Sequence, residues 1–252
     1  MIRIYYSDTA LEASEKAAEV IAELVKSKPD CTLGLATGSS PIAMYDALAA
    51  KYRAGEISFK QVKSANLDEY VGLTKDHDQS YAYFMRTNLF DKIDIDLGNT
   101  NIPDGMAQDP ALECNRYDSV IESLGGIDLQ VLGIGNNGHI GFNEPNTYFT
   151  YGTGLVELTD STIEANARFF ASKADVPTKA LSMGIGQIMS AKKILLLAFG
   201  KGKADILERS LFGDVTPAVP ASILRFAGDV VVFADKDALS TVMAKHADAV
   251  IK

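Results

Sequence analysis

The stretch DLQVLGIGNNGH, residues 128–139, decides the fold. Its first part, residues 128–134, is a short apolar run that reads as a strand buried on both faces. It runs straight into Gly135-Asn136-Asn137-Gly138-His139. A buried strand that ends in glycines and polar side chains is the unit of an open α/β sheet, where ligands bind outside the carboxyl ends of strands. The same unit recurs on either side. Residues 2–6 read as a strand, and Ser7-Asp8-Thr9 supplies caps for a helix whose apolar positions are Ala17, Val20, Ile21, Leu24 and Val25. Residues 32–36 form a strand followed by Thr37-Gly38-Ser39-Ser40-Pro41, with Pro41 suited to the first turn of a helix reaching about Lys51. Residues 62–67 form a strand ending in Asp68-Glu69-Tyr70. Helices follow over about 80–90 and 110–124. The strand at 193–198 leads through Gly200-Lys201-Gly202-Lys203 into another helix. Residues 230–234 are the last clear strand, and 236–250 read as largely helical. Residues 143–162 read as irregular, with 148–154 the candidate for a mobile flap.

This alternation predicts a doubly wound, mainly parallel sheet with helices on both faces and a short flap over the site. With 252 residues and no linker or repeat, one α/β domain over 1–252 is expected. The net charge of −9 argues against nucleic acid as a partner but leaves room for a small phosphate held by local donors. Two cysteines, Cys31 and Cys114, and three histidines make no metal framework, so no metal is expected. No run approaches the roughly 20 apolar residues of a membrane span, and the first residues lack a signal-peptide core, so the expected location is cytoplasmic.

If the sheet is parallel, the polar motifs at 37–40, 68–70, 136–144 and 200–203 share one edge. Thr37, Gly38, Ser39 and Ser40 suit a phosphate cradle at a helix N-terminus, although the same residues suit an ordinary strand-to-helix turn. Asp68 and Glu69 are adjacent on a strand, so one of them faces the site, as a candidate general base. His139 moves protons near neutrality, and Glu144 can hold its ring in one tautomer. Arg168 and Lys203 are candidate phosphate partners, with Lys201 an equally basic neighbour of Lys203. His77 and His246 read as incidental.

In their order and spacing, LATGSSP at 35–41, NLDEYVGL at 66–73, GIGNNGHIGFNEP at 133–145, ARFF at 167–170 and FGKGKA at 199–204 resemble the glucosamine-6-phosphate deaminase family along almost the whole chain. The resemblance implies a sugar-phosphate substrate and conversion of glucosamine 6-phosphate to fructose 6-phosphate and ammonia. It implies that the 37–40 loop, Arg168 and Lys203 hold the phosphate. It further implies that His139 opens the sugar ring, tuned by Glu144 and Asn137, that Asp68 moves the C2 proton to C1, and that no metal and no organic cofactor are required.

Two departures modify that expectation. Many members of the family carry Asp where this chain has Asn137, and Asn adds no charge beside His139, leaving Glu144 as the main charge partner. Some members are activated by N-acetylglucosamine 6-phosphate through basic residues near the flap, yet no Lys or Arg lies between Arg116 and Arg168 here. No such allosteric site is expected, and a monomer or small homo-oligomer is. The rival readings are 6-phosphogluconolactone hydrolysis, which has no use for a C2 base, and a sugar-phosphate sensor, which requires a DNA-binding module.

Overall fold

The computed structural model describes residues 2–252. In chain order the strands are β1 (Ile2–Ser7), β2 (Thr32–Leu35), β3 (Lys63–Asn66), β4 (Asp68–Tyr70), β5 (Thr100–Asn101), β6 (Leu129–Gly133), β7 (Gly154–Glu157), β8 (Lys179–Ser182), β9 (Ile194–Ala198), β10 (Val230–Asp235) and β11 (Val250–Ile251). The helices are α1 (Ala10–Ser27), α2 (Ile42–Arg53), α3 (Tyr81–Asn88), α4 (Pro110–Ser123), α5 (Asp160–Asn166), α6 (Ile185–Met189), α7 (Ala204–Phe212) and α8 (Ser240–Lys245). The main sheet has the order β11-β1-β10-β9-β6-β2-β3-β5, and every pairing in it is parallel. Every residue of β9 and β10 is buried, because helices cover both faces of such a sheet and leave no strand position for a polar alternation.

Local chemistry sets the helices. Thr9 caps α1 by accepting from the Glu12 N–H, and the Glu12 carboxylate accepts from the Asp8 N–H in return. Ala13, Ala17, Ile21 and Val25 then bury one face. Pro41 sits one residue before α2, already in the helical region. Asp109 accepts from two N–H groups at the start of α4, with Pro110 at its first position.

The topology locates the crevice. From β2 the chain passes to β3 on one side, whereas from β6 it passes to β9 on the other. The loops leaving β2 and β6 therefore diverge at adjacent strand ends, which is the switch point where α/β sheets bind ligands.

Three sequence expectations need correction. Residues 143–162 are not irregular throughout: β7 lies there, pairing antiparallel with β8, and α5 begins at Asp160. With β4 they make a second, three-stranded sheet, whose own small core contains Tyr70, Phe142, Leu158 and Ala180. Residues 236–250 are not largely helical either. The helix α8 spans only Ser240–Lys245, because His246 leaves the helical region and Val250–Ile251 adds an edge strand to β1. Finally, residues 148–154 are tied down rather than laid over the cleft. Thr150 and Tyr151 cap α6, with their carbonyls accepting from Gly186 and Gln187 and the Thr150 hydroxyl accepting from the Ile185 N–H. No helix of the described residues is long and apolar enough to cross a membrane.

Candidate active site

A cleft of about 860 Å³ opens at the β2/β6 switch point. Thr37, Gly38, Ser39, Ser40, Asp68, Asn137, His139, Arg168 and Lys203 all line it. Glu144 stands behind His139 instead of on the surface of the cleft.

One end gathers Arg168, Lys203 and the Thr37–Ser40 loop. Gly38 has φ +86°, a left-handed conformation that L side chains rarely adopt, and it turns the β2 loop so that Thr37 through Ser40 face the cleft ahead of α2. Lys203 reaches the same cleft and donates to Asn136 Oδ1 at 2.6 Å, whereas Lys201 is exposed outside it. Burial lowers the Lys203 pKa, and the like charge of Arg168 lowers it further. Two cations that repel each other in a partly buried site are stabilised together by a dianion. The Lys203 loop is itself anchored, because both oxygens of the buried Asp235 accept from the Gly200 N–H at 3.0 Å.

The loop after β6 presents the imidazole. The ring of His139 packs directly over Gly135, where a Cβ would come within 2.4 Å of it. His139 Nδ1 faces Glu144 Oε1 at 3.4 Å, which leaves Nε2 as the nitrogen available to a ligand. Asn137 does not bond the ring. Its Nδ2 donates to Glu144 Oε2 at 2.6 Å, and its Oδ1 accepts from the His139 N–H at 3.2 Å. Burial opposes ionisation of Glu144, but hydrogen bonding and charge from His139, with Thr162 and Asn137, outweigh it and hold the pKa down at about 2. Asn143 pins the loop from below, donating to the Ile140 and Met183 carbonyls and accepting from Thr150.

Asp68 has the opposite environment. It lies in β4, one residue beyond the bend at Leu67, and is 6% exposed. No hydrogen bond to its carboxylate is found among the described residues. Burial, and then the charge of Glu69, push its pKa up to about 8. Glu69 points the other way, as strand alternation requires. It accepts from the Tyr70, Tyr81 and Ala82 N–H groups, fixing the start of α3. Burial still raises it to about 7.

A family model described as glucosamine-6-phosphate isomerases/6-phosphogluconolactonase matches residues 6–232. The chain belongs to this family. A glucosamine-6-phosphate deaminase of Clostridioides difficile (strain 630) is 54% identical over 232 residues, 92% of this chain and 93% of that protein. One from Clostridium perfringens (strain SM101 / Type A) is 52% identical over 237 residues, covering 94% and 98%. Among solved structures, a monomeric glucosamine-6-phosphate deaminase superposes with a TM-score of 0.93 at 44% identity, covering 95% of this chain and 99% of that one. The 6-phosphogluconolactonase of Trypanosoma brucei shares the fold, with a TM-score of 0.77 at 18% identity over 96% and 99% of the two chains.

Sequence reasoning missed three contributors. Tyr81 lines the cleft from the first turn of α3, and its ring packs against Tyr70 with centroids 4.7 Å apart. Thr162 lines the cleft from α5 and bonds Glu144. Phe199 closes the side near Lys203. The cap pattern Ser80 before Tyr81 and Thr159 before Asp160 marked both helix starts, but nothing local shows that those starts face the cleft.

Proposed function

We propose that this chain converts glucosamine 6-phosphate and water to fructose 6-phosphate and ammonia. The observation that carries the reading is a buried carboxylate, Asp68, with no hydrogen-bond donor among the described residues, in one cleft with an imidazole backed by Glu144 and with Arg168, Lys203 and the 37–40 loop. Relatives 52–54% identical over nearly the whole chain are named glucosamine-6-phosphate deaminase, which supports the same substrate.

The roles follow from the chemistry. The phosphate binds between Thr37–Ser40 loop donors, Arg168 and Lys203, and fixes the sugar against the strand ends. His139 takes the anomeric hydroxyl proton and delivers a proton to the ring oxygen, opening the ring. Glu144 stabilises the imidazolium formed between those transfers. Asp68 removes the C2 proton while O1 takes a proton from the C2 ammonium group, leaving an enolamine, and Asp68 then returns its proton to C1. That step gives an imine at C2. Water adds to the imine carbon, and ammonia leaves as the carbonyl of fructose 6-phosphate forms. A base that titrates near neutrality both accepts and returns a proton readily, and an Asp68 pKa of about 8 meets that need. Lactone hydrolysis leaves such a base without a role.

The chain is proposed to act as a monomer or small homo-oligomer, in keeping with the monomeric deaminase it resembles at 44% identity, and without activation by N-acetylglucosamine 6-phosphate, since no Lys or Arg lies between Arg116 and Arg168 to hold that phosphate. The test is release of ammonia and fructose 6-phosphate from glucosamine 6-phosphate by the purified chain. Equal amounts of the two products are expected. A folded chain that binds the sugar phosphate and releases neither product refutes the assignment. Strong stimulation by N-acetylglucosamine 6-phosphate refutes the absence of activation.

A further inference from the structure

The helix α5 runs along the cleft and continues directly into the short turn Ala167–Phe169 that carries Arg168. The same helix touches the acid–base pair. Thr162, 6% exposed, donates a short hydrogen bond to Glu144 Oε1. Its N-cap residue, Thr159, lies 3.4 Å from the same oxygen and 3.1 Å from the Thr162 hydroxyl. Glu144 Oε1 is also the atom that faces His139 Nδ1. The carboxylate is thus held from two independent elements: Asn137 of the β6 loop takes Oε2, and α5 takes Oε1.

We propose that Thr162 is a positioning residue: its hydroxyl fixes the Glu144 carboxylate against His139, and so joins the helix that delivers Arg168 to the group that opens the sugar ring. Without the Thr162 hydroxyl, Oε1 is left with the longer Thr159 contact at 3.4 Å, which lets the carboxylate turn about its bond to Asn137 at Oε2. The second donor removes that freedom, and an imidazole is tuned only by a carboxylate that stays put. The hydroxyl touches no reacting atom, so the consequence falls on the rate of ring opening rather than on phosphate binding.

This inference rests on the deaminase reading, and the experiment separates the two. Wild type, Thr162→Val and Thr162→Ser are compared for kcat and KM with glucosamine 6-phosphate. Wild-type turnover tests the function by itself. Valine keeps the shape and removes the donor; serine keeps the donor. The expected result is a fall in kcat of roughly 10- to 100-fold in the valine variant, the scale of one hydrogen bond to a charged group, with KM changed less than about threefold. The serine variant is expected to recover most of that kcat. An active wild type with unchanged kcat in the valine variant overturns the proposal. So does a rise in KM alone, which would mean that Thr162 only seats Arg168. A serine variant as impaired as valine would point to methyl packing and also overturns it.

Discussion

Two carboxylates serve one cleft from opposite environments. Asp68 is buried on a strand of the small sheet with no donor to its oxygens among the described residues, and its pKa rises to about 8. Glu144, also shielded, receives Asn137, Thr162 and the face of an imidazole, and its pKa falls to about 2. Burial raises both. What differs is whether the fold supplies donors to the charged form. The region around β4 withholds them and so keeps a base that can pick up a proton; the loop after β6 supplies them and so keeps a permanent anion beside His139. Under the proposed reaction, the contrast divides proton transfer at C2 and charge stabilisation at the imidazole between two carboxylates of nearly the same chemistry.

The sharpest way to break the comparison is to neutralise each carboxylate in turn. Asp68→Asn should lower kcat by roughly 100- to 10,000-fold, the usual worth of a positioned general base, in an assay of fructose 6-phosphate release. Glu144→Gln should cost less, about 10- to 100-fold, because His139 remains and loses only its charge partner. Equal losses in the two variants would mean that the roles are not divided as proposed. At the anion end, Lys203→Ala should raise KM by about tenfold while Arg168 still holds the phosphate.

The pH dependence sharpens the same contrast. The base must be ionised, so kcat/KM should rise with pH toward a limb near 8. Glu69→Gln removes the neighbouring negative charge and should move that limb to lower pH. A limb that stays in place would show that burial alone sets it.

Stability gives the smallest effects, with opposite signs. Asp68 binds its proton more tightly folded than unfolded, where a carboxyl titrates near 4. Its ionisation therefore drains stability as pH rises from about 4 to about 8, and Asp68→Asn should melt a few degrees higher at pH 8 than wild type. Glu144 binds its proton less tightly when folded. Its contribution is present above the ordinary carboxyl range and is lost as pH falls from about 4.5 toward about 2. Glu144→Gln should melt lower than wild type at neutral pH. Thermal melts of the two variants across pH would expose either sign error.

Much of this site was legible because parallel strands end where their loops begin. The motifs at 37–40, 136–139 and 200–203 follow β2, β6 and β9 in sequence, and the sheet order alone brings them to one edge. Asp68 was found for a different reason from the one supposed: it does not end β3 but begins a strand of a second sheet, paired with Ser182. That sheet was invisible because β4, β7 and β8 are short and lie far apart in the chain, and antiparallel partners without a shared hairpin leave no local mark. Residues 148–154, rich in Gly, Thr and Tyr, suit a mobile flap by composition, yet they cap α6 while α5 and Arg168 face the ligand space.

Taken by itself, the sequence determined the strand-and-helix alternation, the glycine turn at 37–40, the His139–Glu144 spacing and the family. Those are properties of neighbours along the chain: hydrophobic period, cap residues and turn glycines. Local chemistry left open which of Asp68 and Glu69 faces the cleft and which of Lys201 and Lys203 reaches it; the family resemblance chose Asp68 and Lys203, the tertiary structure supplies the packing behind that choice, and it alone decided that Thr162 holds Glu144. Each of those depends on where a second element packs, and on the burial and donors it brings, which the order of residues does not encode locally.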